Sequence, residues 1–233
     1  SVSANLETRK PALTKGLSHF KPVPGFDAVF TARNGDLRCT ALRLGSGALC
    51  LYSPVSGLGD AARESLAALG DVSHLLAPNH YHNKALRDYA EVFPAAIVCS
   101  TAAAAPRLEK QTGLAPVPLD AAGMGLPENA RRVEPKGLKT GEVWIDVQTG
   151  TARLLVVTDA FRGAKGADDI ACKPPSLLGT FPKFGIADKT VYRDWLECFL
   201  ADSPPTILLP CHGSGVASDT LADDLFKLVT DLA

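Results

Sequence analysis

The segment from Leu75 to Lys84, LLAPNHYHNK, sets two imidazoles two residues apart, His80 and His82, directly after an apolar run and a Pro78-Asn79 break. Asp159 follows a second apolar run, LLVVT, and His212 follows a third, in LLPCHGSG. Loops just beyond strand ends are where layered sheet proteins gather ligands and reacting groups. Three imidazoles and a carboxylate in one cleft form a donor set suited to zinc, iron or manganese. Each signal is weak taken singly. A histidine on a loop is usually a polar surface group, and an aspartate after a strand often caps a turn. The order of all four along one chain carries the weight.

The elements around these residues must position them. A strand is expected over 26–32, then a hairpin of 36–44 with 47–53 around Gly45-Ser46-Gly47. A helix follows over 60–69, with Leu66 and Leu69 on one face and Gly70 as its stop. A short apolar strand over 72–77 ends at Pro78, and helical spacing returns over 84–93 through Leu86, Tyr89, Ala90 and Phe93. A strand over 95–99 leads to Thr101, a plausible N-cap for an alanine-rich helix. Frequent proline and glycine predict a long irregular connection over 113–141. A second hairpin pairs 142–148 with 151–158 around Thr149-Gly150.

The stretch 161–184 reads as a loop long enough to form a lid or a pocket wall. Arg162, Lys165 and Lys173 would give it a positive lining suited to an acidic ligand; the alternative is a solvated surface loop. A helix over 188–200 groups Val191, Trp195, Leu196 and Phe199, and a strand over 206–210 precedes a terminal helix over 219–232 capped by Ser218 or Asp219. Phe181, Phe184, Trp144 and Trp195 read as packing residues. Strands mixed with helices in both halves predict an α/β protein with a two-layer sheet core covered by helices on both sides.

With 233 residues, 46% hydrophobic and 21% charged, the chain can bury a sizeable core without staples. Its formal net charge of -1 offers no field for nucleic acid or an anionic membrane, and its apolar runs are too short to span a bilayer. The opening SVSANLETRKPALTKG has no apolar stretch of a secretory signal, as would a chain already processed. Six cysteines without CxxC spacing, set in stretches such as IVCS and ECFL, read as buried free thiols of a cytoplasmic protein.

On these residues the chain resembles the metallo-β-lactamase fold superfamily. Its members carry an HxHxDH motif after a strand, a lone histidine, a bridging aspartate after a hairpin strand, and a last histidine after a late strand. NHYHNKA aligns with the motif through His80 and His82, VVTDAF resembles the bridging-aspartate segment through Asp159, and LLPCHGSG the last segment through His212. The first hairpin followed by LYSPVSG resembles the family's opening strands. The resemblance runs from about residue 26 to the end. It implies a four-layer αββα sandwich with two mixed β-sheets, one domain over 26–233 preceded by an extension over 1–25. It also implies His80, His82, Asp159 and His212 as metal ligands, with Asp159 and His212 in catalysis.

The departures narrow this. The motif's aspartate is Lys84, its last histidine is Ala85, and no histidine occurs between Ser100 and Gly141. Those losses imply one ion at most, zinc, iron or manganese, or none. An ammonium in the aspartate's place repels a metal by roughly 4 kcal/mol per unit charge at about 4 Å and an effective dielectric near 20, doubled for a dication. Lys84 is therefore expected to replace a lost ion and pair with Asp159, as a residue of the catalytic group. The other reading has Lys84 begin a solvated helix and point outward.

Two functional readings follow. One is a metal-dependent hydrolase of a small ester, lactone or thioester. The other is a metal-free relative, a pseudoenzyme with a degenerate site, that binds a small and acidic molecule or a partner in the same cleft. A third, with Cys211 as nucleophile and His212 as base, is disfavoured because neighbours on an extended segment face opposite sides.

Overall fold

Alternation along the strands decides the layering. The computed structural model of the chain describes residues 16–166 and 169–232. A seven-stranded sheet runs in chain order through β1 (Lys21–Val23), β2 (Phe26–Asn34), β3 (Leu37–Arg43), β4 (Leu49–Tyr52), β5 (Val72–Leu76), β6 (Ile97–Ser100) and β7 (Val117–Pro118). Pairing is antiparallel as far as β4 and parallel from there on. Parallel neighbours need crossovers. They are supplied by α1 (Asp60–Leu69), α2 (Leu86–Val92) and α3 (Ala105–Thr112).

The second sheet has six strands. They are β8 (Ala130–Val133), β9 (Trp144–Thr149), β10 (Ala152–Val157), β11 (Ile170–Ala171), β12 (Ile207–Pro210) and β13 (Gly215–Ala217), in the order β11-β13-β12-β10-β9-β8. The short α4 (Phe181–Phe184) precedes α5 (Lys189–Asp202) and α6 (Leu221–Thr230).

In β4, Leu49 and Leu51 pack with Leu66, Leu86 and Tyr89 from α1 and α2. Cys50 and Tyr52 turn the other way, into a core between the sheets that includes Ile145, Val147, Leu154 and Val156. In β10, Leu155 and Val157 pack with Tyr192, Leu196 and Leu225 of α5 and α6. The central strands β4, β10 and β12 are thus buried on both faces, which is why they read as apolar runs rather than alternating ones. The result is the expected αββα sandwich with two mixed sheets.

Local expectations fail where tertiary contacts override them. Leu17 and Phe20 are buried and β1 pairs with β2, so the first sheet begins ahead of residue 26; residues 1–15 lie outside those described. The connection over 113–141 contains β7 and β8, edge strands too short to show a pattern among prolines and glycines. β13 was likewise without a signal. Thr101 does not cap α3 directly; its hydroxyl accepts the Ala104 N–H and donates to the Gly141 carbonyl at 2.8 Å. Asp188 does cap α5, accepting the Val191 N–H at 3.0 Å, but the buried face runs through Tyr192, Leu196, Phe199 and Leu200, leaving Val191 44% exposed. Thr220 rather than Ser218 or Asp219 is the N-cap of α6. All six cysteines are free, yet only Cys39, Cys50, Cys99 and Cys211 are buried; Cys172 and Cys198 are exposed. Among the described residues, no helix is long and apolar enough to cross a membrane.

One side chain ties the two sheets together at the end where the candidate residues lie. Arg38 of β3 is fully buried. Its Nε donates to the Pro210 carbonyl at 3.1 Å, and its Nη2 donates to Asp169 and Gly213 carbonyls at 3.0 and 3.2 Å. Nη1 donates to Thr31 Oγ1 at 2.6 Å. Burial pushes the guanidinium down to about 10, so it keeps its charge at neutral pH. Arg38→Met is expected to leave those carbonyls unpartnered and to destabilise the fold by about 2–4 kcal/mol, read as a lower urea midpoint.

Candidate metal centre and its cleft

Loops from both sheets meet at the Arg38 end. The loop after β5 carries His82, the end of β10 leads into Asp159, and the end of β12 leads into His212. His82 Nε2 lies 2.8 Å and His212 Nε2 2.9 Å from the same Asp159 Oδ1. The two rings stand edge to face with centroids 5.5 Å apart. One nitrogen from each histidine and one oxygen of Asp159 all fall within 4.8 Å of one another, a group able to hold a metal ion.

The supports of this group escaped the sequence. Asn79, fully buried, makes an Asx-type turn: its Oδ1 accepts the N–H groups of Tyr81 and His82 at 2.9 and 3.1 Å. Its Nδ2 donates to Asp159 Oδ2 at 2.8 Å and to Glu142 Oε1 at 3.3 Å. Glu142 is buried in turn, accepting the N–H groups of Asp159 and Ala160 and the Trp144 indole N–H. Behind His82, Ser53 Oγ lies 2.8 Å from Nδ1. Ser53 has φ of 60°, and is the one non-glycine with positive φ among the described residues. Such strain persists only where surrounding contacts over-determine it.

Charge follows from this geometry. Burial works to raise the Asp159 carboxyl, but the His82 charge and the hydrogen bonds from His212 and His82 outweigh it and hold Asp159 well below the carboxylate range. Burial works to lower the His82 imidazole, but the charge and hydrogen bond of Asp159 outweigh it, so its pKa rises above 6.5. Burial and then the Asp159 charge push Glu142 up to about 7, against the hydrogen bonds donated to it.

Several expected site residues stand elsewhere. His80 is outside the convergent group; its N–H donates to Thr140 O at 2.9 Å, and its Nε2 is buried without a hydrogen-bond partner. Lys84 is exposed and, among the described residues, makes no ion pair with Asp159, whose oxygens are taken by His82, His212 and Asn79. The expected salt bridge is therefore absent, because the Asx turn at Asn79 carries the chain outward by the time it reaches Lys84. Cys211 faces the inter-sheet core, and burial pushes its thiol well up, away from any nucleophilic form. His212, the next residue, faces the cleft.

The group opens on a cavity of about 570 Å3. The 161–184 stretch contributes Leu178, Thr180, Phe181 and Phe184 to it, so this wall is mostly apolar and carries no cation. Arg162 instead pairs with Asp36 at 3.1 Å, Lys165 lines a separate depression, and Lys173 is exposed. The cation at the cavity is Arg107 of α3.

The sequence matches no protein-family model and no curated protein. Solved structures do match. A metallo-β-lactamase from Erythrobacter litoralis, with β-mercaptoethanol in its active site, is similar at a TM-score of 0.63 and 12% identity over 91% of this chain and 96% of that one. The metallo-β-lactamase FIM-1 from Pseudomonas aeruginosa in its mono-zinc form gives 0.60 and 12% over 94% and 98%. A metallo-β-lactamase from Hirschia baltica gives 0.57 and 13% over 92% and 98%. The chain has the metallo-β-lactamase fold.

Two expectations follow from the network. In metal-free protein, His82 with its raised pKa contributes stability that is present below 6.5 and lost as pH rises through its folded value. Glu142, raised to about 7 from 4.5, acts in the same direction, because the folded state holds its proton longer. The urea midpoint of EDTA-treated protein should thus fall from about pH 5 to about pH 8, and Glu142→Gln should flatten the slope. Gly141 has φ of 67°, and a Cβ there would meet Ala104 N at 2.5 Å and Thr101 Oγ1 at 2.6 Å. Gly141→Ala is expected to cost more than about 1 kcal/mol in the same unfolding assay.

Proposed function

We propose that this cleft is the active site of a hydrolase acting on a small ester, lactone or thioester, with a single metal ion held by His82, Asp159 and His212. The observation that carries the reading is the convergence of two imidazole Nε2 atoms and one carboxylate oxygen on the cavity of about 570 Å3. Two histidines and a carboxylate with an open side match the donor set of catalytic zinc, and iron or manganese share much of that preference. A bound zinc ion supplies Lewis-acid polarisation of a carbonyl.

The chain's own residues supply the rest. Ser53, against His82 Nδ1, fixes that ring so that Nε2 points at the cleft. Asn79 holds Asp159 Oδ2, which leaves Oδ1 for the histidines. Leu178 and Phe181 line the cavity and keep bulk water from the reacting centre.

A second reading rests on a specific observation. Asp159 Oδ1 already sits at hydrogen-bond distance from both imidazoles, so the three groups satisfy one another without an ion. Under that reading the cleft binds a small molecule without turning it over. Zinc titration of EDTA-treated protein separates the two. The hydrolase reading expects one ion per chain and, at a free concentration of about 100 Kd, a melting temperature raised by about 5–10 °C. His82→Ala and His212→Ala should each weaken zinc binding at least about tenfold, whereas His80→Ala and Lys84→Asp should leave it unchanged. No stoichiometric zinc and no thermal shift would favour the metal-free cleft instead.

A further inference from the structure

Arg107 lies in the first turns of α3, exposed, with its guanidinium 4.6 Å from the centre of the Tyr81 ring. Stacking on an aromatic face orients the planar fork without neutralising it. Among the described residues, Arg107 makes no ion pair. The cavity's carboxylate, Asp159, is already engaged by His82, His212 and Asn79. The charge of Arg107 therefore faces the cavity without a counterpart.

A second observation lies beside it. Thr140 is 1% exposed and lines the same cavity, yet its Oγ1 has no hydrogen-bond partner. A buried hydroxyl left unpaired calls for an explanation such as a ligand that completes it. The backbone brings Thr140 and Arg107 together: Thr101 Oγ1 donates to the Gly141 carbonyl at 2.8 Å, and Gly141 packs against Ala104 at the start of α3. His80, whose N–H is bound to the Thr140 carbonyl, directly precedes Tyr81, the ring on which Arg107 stacks. Phe184, 45% exposed, lines the same cavity with Leu178 and Phe181.

We propose that the cleft recognises a small monoanionic amphiphile, with a carboxylate bound by Arg107 and the Thr140 hydroxyl and an aryl or alkyl body laid against Phe184 and Leu178. One guanidinium matches a carboxylate fork for fork, whereas a phosphate dianion calls for more donors and more positive charge than this rim holds. The catalytic half rests on the hydrolase reading: there the substrate is an ester, lactone or thioester that also carries a free carboxylate. The binding half stands without any metal.

The test compares 4-phenylbutyrate with 4-phenylbutan-1-ol, matched in body and different in charge, on the full EDTA-treated chain by ligand-observed NMR titration. The carboxylate should bind about tenfold tighter. Arg107→Met should bring the two probes within about twofold of each other while leaving the alcohol unchanged, and Thr140→Val should weaken the carboxylate about threefold. Lys110→Met, which removes the same charge from the outer side of α3, should change neither probe. Equal binding of the two probes, a preference that survives Arg107→Met, or tighter binding of phenyl phosphate than of the carboxylate would overturn the proposal. Turnover of paired phenyl esters by zinc-loaded protein then separates the two readings. A carboxylate preference with no turnover upholds the ligand class and sinks the hydrolase; turnover indifferent to the carboxylate does the reverse.

Discussion

A carboxylate out of bulk water must be compensated, and much of this end of the molecule is arranged around compensating Asp159. Its side chain is only 14% exposed, and its oxygens are met by two imidazoles and a buried amide. The amide belongs to Asn79, which also shapes the turn that presents His82. Glu142 takes the backbone N–H groups of Asp159 and Ala160, which fixes where the β10 strand releases the chain. Remove any of these and a buried polar group is left unpaired, so the site and the local fold are one structure.

That arrangement needs loops from both sheets to meet, since His82 comes from the first and Asp159 and His212 from the second. The inter-sheet core sets the distance; Arg38 and Tyr52 set the register. Arg38 reaches across to the carbonyls flanking Cys211 and His212, and the Tyr52 hydroxyl donates to the Val143 carbonyl at 2.6 Å. Gly213, with φ of 81°, lets the chain turn where a Cβ would strike the Gly163 carbonyl. The histidine at 212 is thus held by packing on both sides rather than by its own side-chain contacts alone.

The metallo-β-lactamase fold hosts many chemistries, so the site must speak for the function. The site has three converging donors, apolar lining from Leu178, Phe181 and Phe184, and the Arg107 guanidinium at the same cavity. Under the two proposals above, its chemistry is that of a single metal ion and its recognition that of an anion with an apolar body.

Residue types and spacing alone determined a good deal. Short apolar runs announced β5, β10 and β12, because strands buried on both faces carry apolar residues on both. Polar residues soon after those runs, His80, His82, Asp159 and His212, had to lie near strand ends; that β5 of one sheet ends beside β10 and β12 of the other was decided by how the sheets pack. Helices α1, α2, α5 and α6 could be read from their periodicity to within a few residues, whereas α4 lies inside a stretch that reads as loop. Only the tertiary structure decided which of two histidines in NHYHNK turns inward. A loop has no period, and the direction of each side chain there depends on the Asn79 turn and on the Thr140 carbonyl that binds the His80 N–H. The same holds for Lys84, Ser53, Glu142 and Arg107. Ser53 meets His82 29 residues on, Glu142 meets Asn79 63 residues back and Asp159 17 residues on, Arg107 stacks on Tyr81, and Lys84 faces solvent; no local pattern encodes such contacts.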